Sequence, residues 1–519
     1  MATRLSEDFM TSTHSAKYHE LSLLLREAEL LSSCGSVLSW DEQTYMPKGG
    51  AEHRAAQCSL IAGLAHERRT DPRIGELLGE LQSSAGDLAD NEEFVANIRE
   101  VRRSYDRYTK LPKRLVEEIS RVTTLSQQAW VDARAKSRFD LFRPWLEQVL
   151  ALKREEAAAV SNGQGDPYDA LLDDYEPATT AAELEQIFQP LASQLSELVA
   201  AISVSEQVIS AEILERAFAR SAQKTVVEQA AKKIGFDFHR GRIDESAHPF
   251  CSSFGPGDCR LTTRYQEEAF NSAFFGVLHE AGHGMYEQGL PADKFGLPSG
   301  QAASLGVHES QSRLWENLVG RSMAFWKGFF PTAQVNFPEV LADVTCEQFY
   351  AAINQVQPSF IRVEADEVTY NLHIMIRFEL ERELLSGNLP VMDLPEAWND
   401  RYDTYLHIRP ASDREGCLQD IHWSAGLLGY FPTYALGNLY AAELMAAASA
   451  HFGSLDQLIE QQDFAALLDW LRTHIHQYGR RYAPRKLIEQ AIGHPVSSQP
   501  LLDHLWTKFG TLYQIPRPV

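Results

Sequence analysis

The chain has 519 residues, 44% of them hydrophobic, enough to bury a large core without staples. Its 71 acidic against 48 basic residues give a net charge of −23, which disfavours nucleic acid and anionic membrane as partners. No apolar run approaches the roughly 20 residues that span a bilayer; Met1–Ser15 carries no charged-then-apolar leader, and six scattered cysteines lack any C-x-x-C pair, so a soluble cytoplasmic protein without a disulfide framework is expected.

The first half reads as helix. Leu21–Cys34 and Ala51–Arg69 carry apolar residues at helical spacing, separated by a turn at Trp40–Pro47 that Lys48-Gly49-Gly50 ends. Asn91–Asp106, Pro112–Arg134 and Phe142–Ala159 repeat the pattern. Gly163–Pro167 is a loop, Ala182–Ile202 opens after Thr179-Thr180 as a capped start, and Ala211–Ile234 continues the helical texture. At Gly235–Tyr265 glycine, proline and β-compatible residues predict a small hairpin or sheet, a platform that can bind an extended peptide by strand addition. A loop at Gly289–Ser299 follows the next helix, and Glu309 opens another. Pro338–Asn354, Val363–Ser386 and Tyr434–His451 predict helices, Gly416–Phe431 is irregular, and Phe464–Val519 holds short helices punctuated by Pro484, Pro495 and Pro500.

The stretch Phe274–Gly289 contains His279, Glu280 and His283 in an H-E-x-x-H arrangement. Residues i and i+4 share one helix face, so both imidazoles can grip one Zn²⁺ while Glu280 projects beside it as a base for a water. Phe274, Phe275, Val277 and Leu278 are too apolar for a solvated face, and a buried helix must satisfy its histidines. Gly282 and Gly284 each cost roughly 1 kcal/mol against alanine in a helix, which close approach of a metal, a substrate or a second helix would explain. The longer zincin pattern is absent: Tyr286 and Gly289 stand where its Gly and third His belong. A third ligand must come from a later helix, and Glu309 in GVHESQSR is the candidate, its alternative being a first-turn glutamate favoured by the helix dipole. Glu287 suits a role orienting a histidine, and His308 is the weaker alternative ligand.

Six further blocks stand in order around this motif. They are Trp40-Asp41 with Met46-Pro47, His248-Pro249-Phe250, Asp258 to Tyr265, Ile361-Arg362 to Glu367, Gly416 to Trp423, and Phe431 to Tyr434. Together they resemble the Taq-type thermostable metallocarboxypeptidase family over nearly the whole chain. The resemblance implies a mainly α fold, a large single helical body with a deep active-site groove and a small β-sheet, similar to neurolysin-like peptidases. It implies release of C-terminal residues with broad preference, a divalent metal that is usually Zn²⁺ with Co²⁺ as a substitute, and homodimers. By the same resemblance His279, His283 and Glu309 are metal ligands and Glu280 the general base. Arg362 receives the substrate's terminal carboxylate, and Tyr434 and His248 stabilise the oxyanion. Asp420 and His422 orient substrate or support its ligands.

The residues alone leave other readings open. Arg362 can pair with Glu364 or Asp366, Tyr434 can be a core tyrosine, His248 can order the Pro249 turn, and Asp258–Arg260 reads as a salt bridge pinning the sheet. One domain over 1–519 is expected, with 1–234 helical and 235–519 holding the sheet and metal-binding helices. An endo-oligopeptidase or dipeptidase with the same metal chemistry, or a non-catalytic peptide-binding protein, are the rival functions; Glu280 argues against the last, since a structural site needs no base.

Overall fold

The computed structural model describes residues 12–83 and 91–517. The N-terminal helix runs Ser12–Thr44, straight through the stretch read as a turn at Trp40. Nothing there breaks a helix: Gly35 has room beside Ile61, and the hydroxyls of Ser32, Ser36 and Thr44 bond carbonyls one turn back. The helix stops only before Pro47, which disfavours helical backbone at Met46. Ala51–Arg69 has its predicted bounds, Asn91 caps Glu92–Lys110, and Thr180 with Glu183 forms a capping box at Ala181–Ser203.

Three predicted helices are shorter or divided. Ala211–Ile234 resolves into a 3₁₀ turn, Glu212–Glu215, and the helix Arg220–Ile234. Pro338–Asn354 splits into Pro338–Leu341 and Cys346–Ile353, restarted by a capping box at Thr345 and Gln348. Val363–Ser386 becomes a 3₁₀ turn, Arg362–Glu364, and the helix Tyr370–Ser386. Asp366 causes that break, because its carboxylate accepts from Val368 N, Thr369 N and the Thr369 hydroxyl and so turns the chain first. Pro72–Ser83, Met323–Asn336 and Leu394–Leu406 are further helices that periodicity did not single out.

The fold is mainly α with one small sheet among the described residues. Gly235–Tyr265 supplies β1 (Gly241–Glu245), β2 (Cys251–Ser253) and β3 (Cys259–Thr263) in the order β1-β3-β2. β3 is parallel to β1, with Gly241 opposite Cys259, and antiparallel to β2, with Cys251 opposite Leu261. The expected salt bridge forms as a bidentate pair, Arg260 Nε and Nη2 donating to the two Asp258 oxygens at 2.9 and 2.8 Å, and the guanidinium lies 4.3 Å from the Trp40 ring centroid.

A continuous core takes in most buried side chains from Ala133 onward, and the first helices pack around their own cluster at Leu21, Ile74, Leu77 and Phe94. The helix Phe270–Gly289 lies inside the larger core, with Phe274 against Phe325, Trp326 and Phe329. On its other side lies the helix Leu305–Arg313. A Cβ on Gly282 would stand 2.6 Å from Gln311 O and Ser312 Cα, so backbone meets backbone there. A Cβ on Gly437, in the helix Pro432–Phe452, would stand 2.6 Å from Glu309 Cβ. Gly284 makes room for Phe236 and Leu261 of the sheet region. The costly glycines of the motif helix are thus explained by a second helix and by the sheet.

Gly282→Ala should destabilise the protein by about 1–3 kcal/mol through overpacking, despite alanine's better helix propensity. The control is Gly276→Ala on the same helix, where a Cβ meets nothing closer than Thr263 Oγ1 at 3.9 Å. Thermal melting of the two variants compares them, and equal melting temperatures would contradict the tight helix crossing.

Candidate metal centre

His279 and His283 project from one face of the motif helix toward Glu309. The Ser304 hydroxyl caps the helix Leu305–Arg313 by accepting from Val307 N, which places Glu309 in its second turn, beyond a first-turn dipole role. Glu309 Oε2 lies 3.7 Å from His279 Nε2 and 3.5 Å from His283 Nε2, and the three donor atoms all fall within 4.8 Å of one another. Donors that share a tetrahedral Zn²⁺ at ordinary bond lengths stand about 3.3–3.5 Å apart, so this set fits a small divalent cation.

Both imidazoles are oriented from behind. His279 Nδ1 is 2.9 Å from Glu316 Oε2, and His283 Nδ1 is 3.1 Å from the His308 carbonyl. His283 Nδ1 also lies 2.6 Å from His308 Nδ1, while His308 Nε2 is 3.0 Å from Glu287 Oε1. One proton arrangement satisfies the chain: His308 Nε2–H donates to Glu287, and His308 Nδ1 then accepts from His283 Nδ1–H. Each candidate ligand is left with an Nε2 lone pair facing Glu309. Glu287 therefore orients a histidine as expected, but that histidine is His308.

Burial opposes the charge on His279, but Glu309 and Glu316 outweigh it and raise its pKa. Burial and the neighbouring His308 and His279 hold His283 well below the usual histidine range. Burial also opposes ionisation of Glu316, yet Arg313 and His279 bring it down to about 2. Glu280 is buried and its oxygens form no hydrogen bond among the described residues; burial pushes it up to about 7. Glu316 sits on a π-helical turn, Leu314–Val319, which continues directly from the Glu309 helix.

A second pole forms around Arg362. Its Nε and Nη2 donate to Asp420 Oδ1 at 3.2 and 2.9 Å, and its Nη1 donates to the Tyr370 hydroxyl at 3.1 Å. Neither partner weighed from the sequence is used: Glu364 is exposed, and Asp366 serves its own turn. The other Asp420 oxygen accepts from Arg377 Nε at 2.7 Å. The two arginines hold the Asp420 carboxyl far below the usual range in spite of its burial. One carboxylate between two guanidiniums leaves a surplus positive charge, and Arg362 keeps an uncommitted N–H on each Nη.

Tyr434 lies beneath this cation, its ring centroid 5.2 Å from Arg362 Cζ, three residues before the Gly437 that meets Glu309. His422 joins the same pole, with Nδ1 3.8 Å from Asp420 Oδ1, its ring against Phe431, and its pKa pushed down to about 4 by burial. The irregular stretch that carries both residues is anchored by buried Glu381, which accepts from Trp423 Nε1 at 2.8 Å and from Gly429 N at 3.0 Å. His248 is not brought into either pole. It is exposed on the turn between β1 and β2, where its carbonyl accepts from the Ser246 hydroxyl at 2.5 Å and its imidazole has no partner among the described residues. Those contacts match a residue ordering the Pro249 turn.

The sequence profile described as carboxypeptidase Taq (M32) metallopeptidase matches residues 20–509. This chain belongs to that family. The M32 chain is 45% identical to thermostable carboxypeptidase 1 of Thermus thermophilus, over 96% of its own length and 100% of that protein. It is 36% identical to carboxypeptidase 1 of Bacillus subtilis, over 94% and 97% of the two chains. The crystal structure of an M32 carboxypeptidase from Deinococcus radiodurans is 40% identical and superposes with a TM-score of 0.91, covering 96% of this chain and 100% of that one.

In this M32 peptidase the sequence reading missed Glu316, Arg313, Tyr370 and Arg377. A signal existed for two of them: Glu309, Arg313 and Glu316 recur at i, i+4 and i+7, one face of a helix. Glu316→Gln removes the anionic partner of His279 without changing side-chain size. Metal affinity should fall about 10–100-fold, measured by chelator competition on the purified protein, and parental affinity would exclude Glu316 as a support of the centre.

Proposed function

We propose that this M32 peptidase hydrolyses the C-terminal peptide bond of peptides, with broad preference for the residue released, and that Zn²⁺ is its metal, replaceable by Co²⁺. The observation that carries the exopeptidase reading is the buried Arg362 guanidinium, joined to the candidate metal centre through one tyrosine. Tyr370 accepts from Arg362 on its hydroxyl and carries Arg313 4.3 Å from its ring centroid; Arg313 in turn holds Glu309.

His279, His283 and Glu309 would hold the cation. When bound, it supplies Lewis-acid polarisation of the scissile carbonyl and a water acidic enough to ionise near neutral pH. The remaining work falls to the chain. Glu280 faces the same centre with unengaged oxygens, takes a proton from the attacking water, and delivers it to the leaving amine. Arg362 receives the terminal carboxylate on its free N–H edge, and Asp420 keeps the guanidinium from turning. Tyr434 lies between this cation and the Glu309 helix, where its hydroxyl can donate to the developing oxyanion. His422, kept neutral and set against Asp420, helps shape the carboxylate pocket. His248 enters as a second oxyanion donor only if the exposed turn that carries it closes over bound peptide.

Two experiments test this reading. Chelation should abolish hydrolysis and Zn²⁺ or Co²⁺ restore it; Glu280→Gln should retain the metal yet lose about 10²–10⁴-fold in turnover, whereas Glu309→Gln should lose the metal. A metal-free Glu280→Gln protein would reverse those roles. For the exopeptidase claim, mass spectrometry of digests of free-acid and amidated peptides is compared for the unmodified enzyme and Arg362→Ala. Loss of a charge-assisted contact predicts a roughly 10–150-fold fall in kcat/KM on free acids, with little further loss on amidated peptides. Equal losses on both, in a folded and metal-loaded variant, would favour endo-type cleavage.

A further inference from the structure

We propose that Arg313 is the positioning residue that keeps Glu309 a one-oxygen ligand, an inference that rests on the metal-centre reading above. Arg313 Nε donates to Glu309 Oε1 at 2.7 Å, and Glu309 Oε2 is the oxygen that faces both histidines. The two oxygens of the carboxylate are thus assigned to different partners. The same guanidinium sends Nη1 to Glu316 Oε2 at 3.2 Å, the atom that also engages His279 Nδ1. One planar fork therefore grips the carboxylate ligand directly and an imidazole ligand at one remove.

A carboxylate with both oxygens free can bind a divalent cation through either one or two of them. Two-oxygen binding here would fill the position that a catalytic centre must leave open for its reactant. Arg313 blocks that mode by occupying Oε1 with a charge-assisted bond. Its place four residues after Glu309 on one helix makes the hold local, and the Tyr370 ring against its face limits where the fork can swing. Ser312 adds a weaker contact, its hydroxyl 3.2 Å from Glu309 Oε2. A lysine at 313 could approach Oε1 as a point charge but has no fork to hold both carboxylates at once.

The test uses the full-length protein loaded with Co²⁺, whose visible absorption weakens as its coordination number rises. Arg313→Lys and Arg313→Ala are compared with the unmodified enzyme for metal stoichiometry, chelator competition, the Co²⁺ spectrum and kcat. The expected result is one Co²⁺ per chain in both variants, a weaker visible band, and kcat lowered about 10–100-fold, with band and kcat partly recovered when guanidinium ion is added to Arg313→Ala. If Arg313→Ala fails to fold, Arg313→Lys decides alone. A metal-loaded Arg313→Lys with the parental band and parental kcat overturns the proposal, as does loss of metal in proportion to loss of activity. Failure of the underlying reading is distinguishable: the unmodified chain would then bind no stoichiometric Co²⁺, or would keep it after His279→Ala and His283→Ala.

Discussion

Everything at the candidate centre depends on how closely one short helix approaches two others. Glu309 reaches the histidines because the helix Leu305–Arg313 lies against bare backbone at Gly282 on one side and Gly437 on the other. Those glycines replace side chains that would hold the axes apart, so a backbone contact sets the donor separations of 3.5 and 3.7 Å. Burial raises the stakes. Charged groups at this depth are tolerated only as a connected set, and here His279, Glu309, Arg313 and Glu316 satisfy one another.

The second pole obeys the same logic with different chemistry. Arg362, Asp420 and Arg377 come from three separated parts of the chain, yet one carboxylate joins them. Aromatic rings complete the packing: Tyr434 and Phe431 lie near Arg362, and Trp398 against Arg377. Tyr370 belongs to both poles, which gives the spacing between a metal-activated centre and a carboxylate-reading cation a rigid physical basis. A peptide end placed in one pole is thereby placed relative to the other.

Much of this was legible in the chain because the relevant physics is local. His279 and His283 are one helical turn apart, their apolar flanks reveal burial, and the unfavourable glycines announce a close neighbour. The sheet and the irregular Gly416–Phe431 stretch were visible as breaks in periodicity. Less legible were partnerships across sequence. Arg362 stands beside acids at 364 and 366 but bonds Asp420, 58 residues away, and no local pattern encodes that choice. Arg377 sits in a run, RFELER, that looks like a solvated helix face, yet it is fully buried because its counter-ion arrives from another segment. His248 shows the converse limit: its H-P-F block was conspicuous, while its imidazole lies on an exposed turn.

The π-helical turn at Leu314–Val319 carries a constraint of a different kind. A π turn spaces its backbone bonds one residue wider than an α-helix does, so it amounts to one extra residue absorbed within a continuous helix. Deleting any single residue there would restore ordinary winding and rotate the downstream residues by about 100°. Part of Glu316's surroundings, including Arg321 with its Nη2 3.7 Å from Glu316 Oε1, would swing out of register. The segment looks like ordinary helix in the sequence, but its length is as fixed as the identity of its residues. Natural variation by insertion or deletion should be confined to the connecting loops and absent from this turn.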